Sequence, residues 1–236
     1  MSFERIKLHL NNIQNKKSRN FRSLKYKRMK VKTIGIIGAG GHGKVVADIA
    51  KNFYDKIVFF DDTGKESCLD YKVIGKIEDV VNYINEMDFF IAIGDSYYRK
   101  IFFDKLVSLN GKIATLIHPK STIAKGVQIG KGSLIVAGAI INSATKIGEG
   151  VIINTASSVD HDCIIGDFSH IAVGACIAGT VKIGKNVWIG AGAIVVNDIE
   201  LCDDCFIGAG AVVVKDIKEK GLYIGIPAKK RSDDIG

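Results

Sequence analysis

From Ile117 to Val213 an aliphatic residue returns at every sixth position, seventeen times in all and without an insertion. The stretch divides into units such as IAKGVQ, IGKGSL, INTASS, VDHDCI, IGKNVW and IGAGAV, each opening on Ile, Val or Leu. Neither the 3.6-residue period of a helix nor the alternation of an ordinary strand produces this spacing, whereas stacked short repeats do. The fifth position is small or β-branched, as at Ser133, Ala139, Thr145, Cys163, Ser169, Ala193 and Cys205, which suits a narrow interior beside bulky anchors. The fourth is often Gly, Asn or Asp, as at Gly126, Gly150, Asp162, Asn186 and Asp204, residues that tolerate positive φ at a corner. Each unit therefore predicts a short strand and a turn. The third position holds Lys125, Lys131, Glu149, Asp167 and Lys185, so that column is expected to face solvent.

Residues 33–116 follow another pattern. TIGIIG, KIVFFDD and DFFIAIG read as strands, with helical stretches from about His42 to Phe53, around Ile77 to Ile84 and from about Tyr97 to Leu109. This alternation predicts a small parallel sheet. Gly38, Gly40 and Gly43 form G-x-G-x-x-G after the first strand; Gly38 to Lys44 also satisfies G-x4-G-K, but Val45 stands where a phosphate loop needs a hydroxyl on magnesium. Asp61 lies eighteen residues beyond Gly43, near the place of a ribose-binding acid, so a nicotinamide-dependent dehydrogenase is one reading of this half. That reading leaves the repeats unexplained, and about 85 residues is short for a six-stranded dinucleotide fold. A noncatalytic β-helix scaffold has the opposite weakness, since it ignores the glycine loop.

Charge separates a third region. The net +8 arises in residues 1–32, where eleven Lys and Arg face Glu4 alone; the remainder carries 22 basic and 24 acidic side chains. The basic head, with Phe3, Ile6, Leu10 and Ile13 at amphipathic spacing, would suit an anionic membrane surface or nucleic acid. The simpler expectation is a disordered extension with no nucleic-acid partner, Met29 offering an alternative start just before the first strand. No apolar run spans a bilayer and no signal-peptide centre is evident, so the expectation is a cytoplasmic protein. Cys68, Cys163, Cys176, Cys202 and Cys205 form no zinc-spaced set, and no metal is expected.

The hexads resemble those of the left-handed parallel β-helix acyltransferases, three units to a triangular coil. Together GAGGHGKVV, FFDD, FFIAIG, LIHP, NTASSVDHDCIIGDFSHIAVGACIAG and GIPAK, spread over about residues 30–230, resemble the sugar acetyltransferases. That family includes bacterial UDP-4-amino-sugar N-acetyltransferases of the bacillosamine pathway and sialic acid O-acetyltransferases. The resemblance implies a basic extension (1–32), a Rossmann-like nucleotide-sugar domain (33–116), a left-handed β-helix acetyltransferase domain (117–218) and a C-terminal tail (219–236).

It further implies acetyl-CoA as co-substrate and a UDP-sugar held by Gly40, Gly41, His42, Asp61, Asp62 and Gly94. His161 matches the catalytic base and Asp162 its partner, while His170, Gly179, Ala191 and Ala209 match acetyl-CoA contacts. Lys229, Lys230 and Arg231 would then lie near the CoA phosphates. His161 and Gly179 are one coil apart, as are Ala191 and Ala209, but the second pair is offset by twelve residues and belongs to another corner. The implied assembly is a homotrimer with its sites between chains. The reaction expected is N-acetylation of a UDP-4-amino-4,6-dideoxy sugar, with sialic acid O-acetylation as the alternative.

Overall fold

The computed structural model describes residues 31–231, so the amphipathic pattern at Phe3 to Ile13 lies outside the described residues. The first half is a sheet of β1 (Thr33–Ile37), β2 (Lys56–Phe60), β3 (Ser67–Cys68), β4 (Tyr71–Gly75) and β5 (Asp88–Ile91), in the order β3-β4-β2-β1-β5. β1 pairs in parallel with β2 and β5, and β2 with β4, but β3 runs antiparallel to β4. The expected all-parallel sheet is corrected there: the hairpin is closed by Leu69 at φ 53°, a conformation that an apolar residue does not advertise. Helices occupy Gly41–Ala50 and Ser96–Ser108, and the middle helical stretch is a 3-10 segment, Ile77–Tyr83. Because β2 and β5 flank β1 on opposite sides, the chain reverses direction across the sheet at the C-terminal end of β1, where such sheets hold ligands.

The second half is a left-handed parallel β-helix. Its two-residue strands stack into three faces in an eighteen-residue register, for example Ile140 beside Ser158, Lys146 beside Ile164 and Ile152 beside His170. We call these the first face (Thr122–Ile123 to Val212–Val213), the second (Gln128–Ile129 to Glu200–Leu201) and the third (from Leu116–Ile117). The anchors Ile135, Ile141, Ile153, Val159, Ile171, Ile189, Val195 and Ile207 are wholly buried in one continuous core. Every fourth position from Gly126 to Gly210 has positive φ, including Ala144, Ala156, Phe168 and Thr180, whose side chains do not favour it. Stacking against neighbouring coils imposes the turn at those residues. The small fifth column also carries buried polar links: Ser133 Oγ donates to the Gly148 carbonyl (2.8 Å) and accepts from Val151 N (3.1 Å).

The sheet domain docks on the lower third face, where Leu116, Leu134 and Ile152 share a core with Ile34, Val46 and Ala47. Above it, Phe103 meets Phe168 edge-on at 5.3 Å. The segment expected as a tail continues the third face instead: Gly221–Ile224 pairs in parallel with Cys205–Ile207 and is covered by antiparallel Lys229–Lys230. Gly221 and Gly225, both at positive φ, let the backbone bend into and out of this added strand.

Candidate active site

The turn Asp160–Cys163 presents His161 at the corner between the first and second faces. Asp162 takes the left-handed corner conformation at φ 59°. Thr145, in the inward column one coil below, brackets the turn by donating to the Asp160 carbonyl (2.7 Å) and accepting from Cys163 N (3.2 Å). Asp160 accepts from His161 N (2.8 Å) and from Asn142 Nδ2 (2.7 Å), so its carboxylate shapes the turn. Asp162 performs the other task. Its Oδ2 accepts from His161 Nδ1 at 2.8 Å, leaving Nε2 as the lone-pair nitrogen.

The hydrogen bond to Asp162, followed by the charge of Asp160, raises the His161 pKa above its ordinary value. The ring lies over Gly179 in the next coil, where a Cβ would stand 2.8 Å from both Cε1 and Nε2. Only glycine admits the imidazole there. At the third position, Glu149 N and Lys185 N are capped by Asp167 (3.0 Å) and Asp203 (2.7 Å) of the next coil, whereas Gly179 N makes no hydrogen bond within the described residues. Its N–H therefore remains available beside the imidazole.

Ala191 and Ala209 are exposed at the corner between the third and first faces. One chain thus does not bring them to His161, but both corners border the same first face. That face carries exposed aliphatic side chains: Ile140 and Ile194 are 43% and 42% exposed, with Ser158 and Cys176 between them in register. A depression of about 320 Å³ runs along it from Ile194 to Asp160, beside His161. The second face presents Lys146, Lys182 and Glu200, the last two ion-paired.

At the sheet domain, Gly40 caps the helix Gly41–Ala50 without a side-chain bond, and no acid occupies its first turn. A Cβ at Gly40, Gly41 or Gly94 would meet open space. These N–H groups and the helix dipole suit an anion. Asp61 is otherwise engaged: its Oδ2 accepts from Ala39 N (2.6 Å) and its Oδ1 from Thr63 N (2.9 Å). Burial acts to raise its pKa, but Thr63 and the N–H groups of Ala39 and Thr63 outweigh that and lower it. The dehydrogenase reading thereby loses its ribose acid. Asp62 accepts from Ile77 N (2.9 Å) and fixes the 3-10 segment.

Sequence reasoning missed Arg99. Only 1% exposed, it donates from Nε to the Gly150 carbonyl (2.8 Å), from one terminal nitrogen to Ile93 and Gly94 (2.9 and 2.6 Å), and from the other to Phe168 (2.5 Å). One guanidinium thus joins the Gly94 loop to two successive turns along one corner of the β-helix. Burial pulls its pKa down to about 10. The helical signal around SYYRKIFF contained no mark of this interdomain role.

His170, on the third face, is buried in the seam with the sheet domain. Its ring lies 6.4 Å from that of His42 and 4.4 Å from Trp188. Asn154 Nδ2 donates to its Nε2 (3.0 Å), since the amide oxygen is occupied by Thr155 N (2.8 Å). His42 Nε2 and His170 Nδ1 are buried without partners among the described residues. Burial first, then the Arg99 charge, lowers His42 to about 4 and His170 to about 3.

These neutral histidines predict acid sensitivity. Unfolded imidazoles take protons near pH 6.5, the folded ones only near 4 and 3, so between those values the unfolded state holds more protons. Their contribution is complete above pH 6.5 and declines by about 1.4 kcal/mol per pH unit for each histidine below it. Urea midpoints at pH 7 and pH 5 should diverge in the natural chain, diverge about half as much in His170→Gln, and converge only when His42 is replaced as well. Equal pH dependence in the natural chain and His170→Gln would contradict this account.

Comparison with known proteins gives consistent matches. Residues 33–106 match the PglD N-terminal domain, and residues 180–215 match the bacterial transferase hexapeptide (six repeats) family. UDP-N-acetylbacillosamine N-acetyltransferase of Bacillus subtilis (strain 168) is 32% identical over 117 residues, 45% of this chain and 52% of that protein; the match therefore spans about half of that relative. The acetyltransferase domain of PglB from Neisseria gonorrhoeae FA1090 is 37% identical with a TM-score of 0.83, covering 85% of this chain and 100% of that one. A histidine-to-asparagine variant of perosamine N-acetyltransferase from Caulobacter crescentus, in complex with CoA and GDP-perosamine, is 32% identical with a TM-score of 0.82, covering 85% and 97%. Among the described residues no helix is long and apolar enough to cross a membrane, and no three or more His, Cys, Asp or Glu residues are grouped to hold a metal ion.

Proposed function

Because the chain belongs to the hexapeptide-repeat sugar N-acetyltransferases, we propose that it moves the acetyl group of acetyl-CoA to the amine of a UDP-linked 4-amino-4,6-dideoxy sugar. The observation that carries this reading is the His161 pair with Asp162, set over Gly179. An amine attacking a thioester must shed a proton, and Nε2 accepts it while Asp162 steadies the resulting imidazolium. The Gly179 N–H is the donor for the thioester oxygen as negative charge develops there. Gly40, Gly41 and Gly94 provide the open rim for the nucleotide diphosphate, and Asp61 holds that loop in shape.

The site is completed by a second chain. His161 and Thr155 are six residues apart and so occupy the same level of the prism on either side of the first face. Ala191 and Ala209 stand two and three coils beyond Thr155, roughly 10 and 14 Å along the corner at about 4.8 Å per strand. In a closed threefold assembly packed through the first face, this corner of one chain lies beside His161 of the next, and the CoA arm runs along it. Light scattering should give three times the 25.5 kDa chain mass. Ile194→Asp, which places a charge in the first face, should yield folded monomer without turnover. A fully active monomer would overturn the shared site.

The acceptor assay offers labelled acetyl-CoA with UDP-4-amino, GDP-4-amino and free 4-amino sugars and with sialic acid, and locates the acetyl group by NMR. Acetylation of the UDP-linked amine alone, or well ahead of the others, is expected. Transfer confined to a sialic acid hydroxyl would reverse the assignment.

A further inference from the structure

Cys202 and Cys205 form a C-x-x-C pair that acetyl transfer does not use. In the repeat, the second and fifth residues of a hexad face each other across every corner turn, and among the corners only 202–205 carries a thiol at both. Asp204 at φ 59° fills the third position of that four-residue turn. Ends of a β-turn lie within about 7 Å, which overlaps the Cα separation of about 4.4–6.8 Å that a disulfide requires. The two sulfurs are already 3.3 Å apart. We propose that Cys202 and Cys205 are a thiol modification site that closes to an intramolecular disulfide by exchange with a small neutral or cationic disulfide.

Cys202 is the entry thiol, because it is partly exposed whereas Cys205 is 1% exposed. Asp203 and Asp204 flank the turn, so an anionic disulfide is disfavoured. The Cys202 thiolate attacks one sulfur of the reagent, forming a mixed disulfide and releasing one reagent thiolate. The Cys205 thiol gives its proton to solvent, leaves its contacts with the Asp203 and Glu219 carbonyls (3.8 and 3.7 Å), and displaces the second reagent thiolate. Two protein thiols are thereby oxidised by two electrons and the reagent disulfide is reduced to two thiols. The corner joins the second and third faces, away from the first face, so trimer assembly leaves it accessible.

The test treats the native full chain with cystamine, quenches with acid, alkylates the remaining thiols and maps every cysteine by mass spectrometry. The natural chain should lose two hydrogen atoms from the peptide holding Cys202 and Cys205. Cys205→Ala should stop with the reagent attached at Cys202, and Cys202→Ser should leave Cys205 unmodified. Oxidised glutathione should reach the internal disulfide at least tenfold more slowly than cystamine. A persistent mixed disulfide at Cys202 in the natural chain, or both thiols still reduced under cystamine that labels Cys202 in Cys205→Ala, would overturn the proposal. Because Cys202→Ser changes a partly exposed side chain, it keeps the test valid even where a Cys205 variant folds poorly.

Discussion

His161→Ala is expected to slow acetyl transfer by about 10²-fold or more while leaving trimer mass and acetyl-CoA affinity unchanged. The imidazole is exposed at a corner and contributes nothing to the core, so its removal tests chemistry and not folding. Asp162→Asn should cost less, because it removes the negative charge beside Nδ1 and leaves Nε2 in place. The two variants separate further in their pH dependence. His161 acts as a base only when neutral, so turnover should rise with pH through its deprotonation, which Asp162 and Asp160 displace upward. Asp162→Asn removes the largest cause of that displacement, and the rising limb should move to lower pH. Stopped-flow or coupled thiol-release assays across the range would measure it; near-natural turnover by His161→Ala at every pH would remove His161 from the mechanism.

Arg99→Met should destabilise the chain by about 3 kcal/mol or more. The substitution keeps much of the volume but strands the carbonyls of Gly150 and Phe168 in a buried seam and releases those of Ile93 and Gly94. Each buried acceptor left unpaired costs about 1–3 kcal/mol, partly offset because the guanidinium no longer has to be desolvated. Arg99→Lys should fall between, since an ammonium keeps the charge but cannot span carbonyls on both sides of the seam. Trp188, the single tryptophan, lies against His170 in that seam and provides the fluorescence signal for urea unfolding. A loss below about 1 kcal/mol for Arg99→Met would show that the seam closes without this residue.

The repeat domain was legible because its rule is local. An aliphatic anchor, a small inward residue and a corner residue recur at fixed offsets, and the buried anchors and positive-φ corners fall on those offsets, even where the corner residue is Phe168 or Thr180. The hairpin of β3 and β4 escaped notice because two- and five-residue strands around an apolar turn carry no comparable period. The histidine candidates show the same divide. An outward column marks His161 as exposed, but whether Asp160 or Asp162 holds its ring depends on side-chain directions around one turn.

By itself, then, the sequence determined the six-residue strand-and-turn repeat, the glycine loop with its helix, and the outward column on which His161 stands, since these follow from spacing along the chain, while the three-hexad coil was implied by the family resemblance. The tertiary structure alone decided that Arg99 joins carbonyls 51 and 69 residues away, that His42 and His170 share a buried seam, and that one face with exposed Ile140 and Ile194 lies open between the two corners. The physical reason is that periodicity specifies which way a side chain points relative to its own strand or helix. What it meets there is fixed by how two separately patterned domains pack, and no interval in the sequence encodes that contact.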